Sequence, residues 1–254
     1  MSLIQSELSA SGVLTVQLHN PASRNALSVK MFHDFTTALS QHGDRVKAVV
    51  FTGSGGVFSS GGDLAQMPPA DERGADEQMD AIAAMVRLVT GLEVPSVAAV
   101  SGPAAGAAVG LALACDAVIA DETAVFVLPF TRLGLLPDGG ILSLLAARVG
   151  PARARYLLLR AEPIPAAAAL AQGIVDEVAG EAALPAAQRL AGDLAGRAPA
   201  AVSGTKAVLR YRAPSLEEAL AAEKNAQRRL FFSADFAEGK RAFFERRDPR
   251  FTGE

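Results

Sequence analysis

The sequence predicts an α/β fold whose C-terminal part is helical, and three observations support this class. Short apolar strands alternate with amphipathic helices up to about residue 180, which is typical of an α/β core. Beyond that point, Ala-rich helical segments make up almost all of the chain. In the middle of the chain, residues 94–120 divide into strand, helix and strand. A length of 254 residues is enough for a domain with a sizeable core.

Residues 94–120 form a long stretch of small apolar residues, VPSVAAVSGPAAGAAVGLALACDAVIA. A membrane-spanning helix needs roughly 20 continuous apolar residues. The residues that interrupt this stretch are Pro95, Gly102, Pro103, Gly106 and Gly110. We therefore expect buried strands at 96–100 and 117–120, a turn at 101–103 and a helix from about residue 106. The first N–H groups of that helix, near Ala107, are unpaired and lie at the positive end of its dipole, which suits them to stabilise negative charge.

The N-terminal part supplies further strands and helices. Residues 13–18 alternate and are β-branched, and residues 48–52 form a short apolar run, so both segments predict strands. Ser28 is suited to cap a helix that ends near residue 41. The apolar face of this helix is predicted to consist of Val29, Phe32, Phe35 and Leu39. The polar segment 68–77 predicts a surface loop, and a helix follows over about 77–91.

After residue 120, a short strand and a proline-bounded loop lead to a helix that begins near residue 140. Residues 173–178 predict one more strand. The other segments that we expect to be helical are 152–159, 166–172, 184–195, 200–211, 216–230 and 234–246.

The composition argues against several classes of function. The formal net charge of −3 gives no support for nucleic-acid binding. The three histidines, His19, His33 and His42, are scattered, and no metal-ligand spacing is present, so we expect no metal site. Cys115 is the single cysteine, which rules out an internal disulfide and favours a reducing, cytoplasmic compartment. The N-terminal residues have neither the basic nor the apolar part of a secretory signal.

Several segments, taken in order, resemble the crotonase superfamily, the enoyl-CoA hydratase/isomerase family. They are NPASRNALS, VFSSGGDL, the 94–120 stretch, LGLLPDGG and SADFAEGKRAFFERRDPRF. The resemblance covers essentially the whole chain. It implies a crotonase-like β-β-α spiral core over residues 1–195, which binds acyl-CoA. It further implies a helical C-terminal region, 196–254, that mediates trimers, often paired into hexamers. No membrane partner is expected.

The resemblance also implies an acyl-CoA thioester as substrate, with no tightly bound cofactor. Members of the family hold the thioester oxygen between two backbone N–H groups, which by position resemble those of Gly62 and Ala107. Such donors stabilise the charge that develops when a proton leaves the carbon next to the thioester. The alternative for Gly61 and Gly62 is a tight turn with a purely structural role.

Enoyl-CoA hydratases of the family use two glutamates to hold and activate water. By position, Gly110 and Phe130 stand where those glutamates would be, so ordinary hydration is disfavoured. Asp138 is the carboxylate that remains, and in several isomerases of the superfamily an aspartate in a matching segment moves a proton. In related dehalogenases it is the nucleophile. The alternative is that Asp138 only caps the helix that follows it.

We therefore expect an enoyl-CoA isomerase in which Asp138 shuttles a proton and Gly62 and Ala107 hold the enolate oxygen. The alternatives are a hydratase with a non-standard site and a homologue that binds acyl-CoA without catalysis. The resemblance implies that the following residues line the site for the CoA thioester: Arg24, Ala26, Leu27, Ser60, Gly61, Gly62, Asp63, Leu64, Ala107, Phe130 and Arg246. Of these, Arg24 could meet a phosphate or be a surface arginine, and Asp63 could bond loop amides. Arg246, with Arg247 and Arg250, could reach the CoA of a neighbouring subunit or form a solvated face.

Overall fold

A largely parallel sheet lies at the centre of the computed structural model, which describes residues 2–64, 67, 71–211 and 213–254. Its described strands are, in spatial order, β1 (Ile4–Leu8), β2 (Val13–Leu18), β3 (Ala48–Gly53), β4 (Ser96–Val100), β6 (Ala117–Asp121) and β9 (Glu177–Ala179). β1 pairs antiparallel with β2, and the other neighbouring strands pair parallel. A smaller sheet consists of β5 (Pro103–Ala105), β7 (Val125–Val127) and β8 (Ile164–Pro165).

Ten α-helices occur among the described residues. They are α1 (Val29–Ser40), α2 (Glu72–Gly91), α3 (Ala107–Ala114), α4 (Ile141–Val149), α5 (Pro151–Arg160), α6 (Ala166–Ala171), α7 (Ala183–Ala195), α8 (Pro199–Tyr211), α9 (Leu216–Leu230) and α10 (Ala234–Glu245). None of these helices is both long enough and apolar enough to cross a bilayer.

Side chains along one strand alternate between the two faces of the sheet. Because apolar side chains lie on both faces of the large sheet, helices cover both of them. Val49 and Phe51 of β3 belong to the main core with α1, α2 and α3, whereas Ala48 and Val50 face α7. α7 presents only alanines to the strands at its buried positions. α3 is buried on all sides, so its small residues allow neighbouring backbones to come close.

The predicted α/β class with a helical C-terminal part is confirmed, and most predicted elements are present within a residue or two. Ser28 does cap α1, since its side chain accepts the N–H of Met31. The buried face of that helix differs from the prediction, because Met31 is buried while Val29 is 39% exposed.

Other element predictions were wrong. No strand was predicted at β1, and the strand predicted at 173–178 is the short segment Glu177–Ala179. Pro103, which we placed in a turn, begins β5. The loop predicted at 68–77 is wrong from residue 72 onward, because Asp71 accepts the N–H of Gly74 and starts α2 there. Residues 68–70 lie outside the described residues.

The helices α8 and α9 contain no buried residue, and α8 is joined to the sheet region by polar contacts. Lys206 of α8 forms an ion pair with Asp116 and donates to the carbonyl of Val94 at 2.8 Å. In α10, the buried carboxylates of Asp235 and Glu238 accept backbone N–H groups from residues 250–253. The division of the chain at residues 195 and 196 stays a prediction.

Asp121 ties three parts of the core together. This buried residue ends β6 and accepts hydrogen bonds from the Ser101 hydroxyl, from Thr123 and, at 3.3 Å, from the N–H of Ala183 in α7. Burial raises the pKa of this carboxyl, but the hydrogen bonds from Ser101, Thr123 and Ala183 outweigh it and leave the pKa below its usual value. The ionised Asp121 carboxylate therefore stabilises the folded state at pH values above the usual aspartate pKa. This stabilisation is lost as the pH falls through the lowered pKa.

Asp121→Ala should lower the free energy of unfolding by about 2–3 kcal/mol at neutral pH, because it leaves buried donors without an acceptor. Urea unfolding measures the change. Asp193→Ala, at an exposed position of α7, is the matched control and should stay within about 0.5 kcal/mol of the parent protein. Equal losses in the two variants would contradict the role assigned to Asp121.

Candidate active site

A cleft of about 160 Å³ lies where the N-terminal parts of α1, α2 and α3 meet the segment that precedes α4. Its walls are mostly apolar. The polar residues that line it are Ser28, Ser60, Asp63, Gln78 and Asp138. The other lining residues are Leu27, Val29, Phe32, Gly62, Leu64, Met67, Gly74, Ile82, Ala107, Pro129, Phe130, Leu133 and Leu135. A cleft of this kind suits an apolar ligand with one polar reacting group.

The loop that carries Gly62 is fixed by hydrogen bonds to the segment before α1. The buried Ser59 hydroxyl donates to the carbonyl of Asn25 at 2.7 Å and accepts the N–H of Gly61 at 3.1 Å. The N–H of Leu27 in turn donates to the carbonyl of Gly61 at 2.7 Å. None of these three bonds uses the N–H of Gly62.

The same loop lies directly against the residues that begin α3. Gly61 has a φ of +86°, and a Cβ on it would lie 2.5 Å from the carbonyl oxygen of Ala105. A residue with a side chain could not occupy this place without moving one of the two backbones. Gly106, with a φ of +52°, donates its N–H to Val127 and makes Ala107 the first helical residue.

Gly62 and Ala107 therefore lie on the same cleft, at two backbone segments in contact. Among the hydrogen bonds between described residues, none takes the N–H of either one. The N–H of Ala107 is also at the positive end of the α3 dipole. The sequence analysis assigned these two N–H groups to a developing anion, and that role stays a prediction.

Asp138 reaches the cleft from a loop that rests on α3. Its neighbour Gly139 has a φ of +61°, and a Cβ on it would lie 3.1 Å from Cα of Ala107. The Asp138 carboxyl is half-buried, and its Oδ1 is buried with no hydrogen-bond partner among the described residues. Burial raises the pKa of this carboxyl, and a hydrogen bond from its own N–H offsets part of that shift.

The alternative that Asp138 caps the next helix is wrong. α4 begins at Ile141, its N-cap is Gly140, and no side chain caps it. The main chain of Asp138 does contribute, since its carbonyl accepts the N–H of Ile141 at 3.2 Å. The side chain is therefore left to face the cleft.

Most of the predicted site residues meet in this one cleft. Those that line it are Leu27, Ser60, Gly62, Asp63, Leu64, Ala107, Phe130 and Asp138, and Gly61 supports them from behind. Ala26 is buried beside Leu27 but does not line the cleft. Phe130 is 5% exposed, so it packs in the core and shapes the cleft at the same time.

Two predicted arginines lie outside the cleft. Arg24 is exposed, and its main-chain carbonyl accepts the N–H of Ser60. Arg246 is exposed at the C-cap of α10. The adjacent Arg247 forms ion pairs with Glu238 and Glu245, so its guanidinium is already engaged. Contact of these side chains with CoA stays a prediction.

The sequence reasoning missed the part of the wall that α2 and the loop after Phe130 provide. Gln78 and Ile82 of α2 and Leu133 and Leu135 of the loop line the cleft. The four-residue spacing of Gln78 and Ile82 places them on one face of a helix, which is a signal that the sequence does contain. The described residues contain no group of three or more His, Cys, Asp or Glu side chains arranged to hold a metal ion.

Comparison with known proteins places this chain in a family. The sequence model described as enoyl-CoA hydratase/isomerase matches residues 9–254. A "probable enoyl-CoA hydratase" of Rhodobacter capsulatus is 36% identical over 244 residues, which is 95% of both chains. The enoyl-CoA hydratase AFT3-1 of Alternaria alternata is 33% identical and is matched over 95% of this chain and 83% of its own.

Solved structures agree with this match. A crystal structure of an enoyl-CoA hydratase from Polaromonas sp. JS666 superposes with a TM-score of 0.91 at 35% identity, covering 98% of this chain and 99% of that one. An enoyl-CoA hydratase from Bacillus anthracis superposes with a TM-score of 0.94 at 28% identity over the whole of both chains. The chain therefore belongs to the enoyl-CoA hydratase/isomerase family, within the crotonase superfamily.

Proposed function

We propose that this protein moves a double bond along an enoyl-CoA by a 1,3-proton shift, with Asp138 as the proton carrier. The observation that carries the proposal is the buried Oδ1 of Asp138, which has no partner among the described residues, in the cleft that Gly62 and Ala107 line. Asp63, the other acidic residue on the wall, also makes an interaction. The buried, unpartnered oxygen of Asp138 is the reason for assigning the proton transfer to this residue.

In the proposed reaction, the Asp138 carboxylate takes a proton from the γ or the α carbon of an unsaturated acyl-CoA. The electron pair of that C–H bond moves into the chain, and negative charge appears on the thioester oxygen. The same carboxyl returns the proton to the other carbon, and the double bond is displaced. No water or cofactor is consumed, so one acid–base group is sufficient.

The N–H groups of Gly62 and Ala107 are the donors for the thioester oxygen in this proposal. Both belong to backbone held in place before the reaction, so no reorganisation is needed when the charge develops. Loss of one such donor typically raises the barrier by about 3–4 kcal/mol. The dipole of α3 adds a smaller contribution of the same sign.

Hydration is the second candidate, and the names of the relatives favour it. The family resemblance expects glutamates at the positions of Gly110 and Phe130 for that reaction. The space next to Gly110 is filled by the backbone of Gly139, and Phe130 is apolar. Neither of these two positions supplies a carboxylate to hold a water molecule, which argues for isomerisation over hydration.

The proposal includes CoA binding, self-assembly and a cytoplasmic location. Arg24 and Arg246 are the candidates for contact with CoA phosphates, the latter from a neighbouring subunit. Large apolar side chains exposed on the last helices and on the turn between α9 and α10 support a homo-oligomer, either a trimer or a dimer of trimers. They include Leu209, Leu216, Phe232, Phe243 and Phe244. The single, buried Cys115 is compatible with a reducing compartment.

Asp138→Asn should lower kcat for isomerisation of a 3-enoyl-CoA at least 100-fold, because the amide cannot accept a proton. The rise in ultraviolet absorbance as the double bond becomes conjugated measures the rate. Asp193→Asn, at an exposed position, is the matched control and should keep the parent rate.

A near-parental rate for Asp138→Asn would contradict the proposed mechanism. If the parent protein binds acyl-CoA in calorimetry but gives no absorbance change, it is a binding protein. If heavy oxygen from labelled water enters the product, the reaction is hydration.

The pH dependence of kcat/KM and of stability should reflect the burial of the Asp138 carboxyl. Because burial raises the pKa of this carboxyl and the base is its ionised form, kcat/KM should fall as the pH drops through a value above the ordinary aspartate pKa of about 3.9. The folded state holds this proton more tightly than the unfolded state does. Asp138→Asn should therefore be more stable than the parent at neutral pH, and the gap should close as the pH falls.

Thermal unfolding of both proteins across the acid range measures the gap, alongside the pH profile of the rate. An acid limb at or below the ordinary aspartate pKa, or a gap that does not change with pH, would contradict the assignment.

Gly61→Ala should lower kcat about 100-fold, because the new Cβ would lie 2.5 Å from the carbonyl oxygen of Ala105 and push the two donor segments apart. Gly56→Ala is the matched control, since Gly56 also has a positive φ, +71°, but no atom within 4 Å of the new Cβ. Both variants should lose similar stability from backbone strain, roughly 1–2 kcal/mol. Steady-state kinetics and thermal unfolding separate the two effects, and equal kcat losses would contradict the role of this contact.

A further inference from the structure

Gly110 is the fourth residue of α3 and lies just behind the cleft, where the proposed mechanism does not use it. A Cβ on Gly110 would lie 2.1 Å from the carbonyl oxygen of Gly139, 2.9 Å from its carbonyl carbon and 3.2 Å from its Cα. All three are backbone atoms, so none can turn away as the end of a flexible side chain could. The backbone of Gly139 therefore occupies the space where a side chain at position 110 would begin.

The contact is close from the other direction as well. A Cβ on Gly139 would lie 3.1 to 3.3 Å from Cα, the carbonyl oxygen and Cβ of Ala107. Gly139 thus rests in a notch between Ala107 and Gly110, one turn apart on α3. The residue before it in the chain is Asp138. The notch therefore fixes the distance between the Asp138 loop and the helix that provides the Ala107 donor.

We propose that Gly110 is a positioning residue for Asp138, because its missing side chain lets Gly139 sit on α3 and so holds the Asp138 carboxyl beside the amide of Ala107. This inference rests on the proposed function, in which Asp138 carries the proton. Gly110 does not line the cleft, so it acts through the loop and not on the substrate.

One consequence concerns specificity for the type of reaction. Any side chain at position 110, a carboxylate included, would place its Cβ 2.1 Å from the carbonyl oxygen of Gly139, so either α3 or the Asp138 loop would have to move. The present packing therefore has no room for a carboxylate on α3 at this position. Gly110 thus favours a reaction that needs one carboxylate over a reaction that needs a second one to hold water.

Burial, and not a neighbouring charge, sets the environment of the carboxyl. α3 carries no ionisable side chain between Ala107 and Ala114. The ionisable residues on the other elements around the loop are Asp63, Glu72, Arg73, Asp76, Glu77, Asp80, Arg87, Arg132 and Arg148. Of these, Asp63 alone lines the cleft with Asp138. Moving the loop away from α3 should expose Asp138 to water and bring its titration closer to that of an ordinary aspartate.

The test compares Gly110→Ala with Gly192→Ala, a helical glycine of α7 that has no atom within 4 Å of the new Cβ. With a 3-enoyl-CoA as the probe, Gly110→Ala should lose 10-fold to 100-fold in kcat with little change in KM. The acid limb of its kcat/KM profile should move to lower pH. Gly192→Ala should match the parent in all three measurements. A loss of stability in Gly110→Ala without a change in kcat or in the acid limb would overturn the proposal.

A double-mutant cycle shows whether Gly110 acts through Asp138. In the Asp138→Asn background, Gly110→Ala should cost no further activity, because the group that it positions is already gone. The same fold-loss in both backgrounds would overturn the proposal. If Gly110→Ala does not fold, Gly139→Ala approaches the contact from the other side, where the distances are less severe. It should show the same shift of the acid limb, and an unshifted limb would overturn the proposal.

Failure of the proposed function can be told apart from failure of this inference. An Asp138→Asn protein that keeps its activity would contradict the proposed function. The contact between Gly110 and the Asp138 loop could still be tested. In that case, the pH-dependent difference in unfolding temperature between the parent protein and its Asp138→Asn variant reports on the carboxyl directly. Gly110→Ala should reduce that difference, and an unchanged difference would overturn the positioning role.

Discussion

The site depends on direct contact between backbones, at places where a side chain would not fit. Gly61 lies against Ala105, and Gly139 lies against Ala107 and Gly110. Backbone contacts of this kind have few soft degrees of freedom, because no rotamer can change to relieve them. The loop after β3, the start of α3 and the loop before α4 are therefore held as one unit. Two amides and one carboxyl can keep a fixed relation only because these three segments cannot drift apart.

The apolar surroundings of that unit give it its chemical character. α3 is buried on every side, and Leu27, Phe130 and Ile82 line the cleft. In such a setting a backbone N–H acts more strongly on a developing charge than it would in water. The same setting makes an ionised Asp138 costly, which favours a carboxyl that picks up a proton and gives it back. In the proposed mechanism, one physical cause, burial in apolar surroundings, thus serves both the donors and the base.

The sequence predicted the fold class and most elements, because these depend on the spacing of apolar residues and on turn-forming residues. Both can be read from a short segment of the chain. It also predicted that Gly62, Ala107 and Asp138 belong together, although that step came from the family resemblance and not from the pattern alone. What it could not supply was contact between distant segments. The packing of Gly139 on Gly110 joins residues far apart in the chain and leaves no periodic signal. β1 was missed for a related reason. Most of its residues are exposed, so its sequence lacks a clear apolar–polar alternation, and its strand conformation depends on pairing with β2.

Cys115, the residue that follows α3, is buried, and its thiol lies near the carbonyl of Leu111. Burial raises the pKa of that thiol, with the charge of Asp116 adding to the effect, so in the folded protein it is a poor nucleophile. The thiol of Cys115 can therefore be used to monitor the C-terminal end of α3, the helix that carries the Ala107 amide. A thiol-specific alkylating reagent can modify this single thiol when the end of that helix opens to solvent, so the rate of labelling reports on those openings.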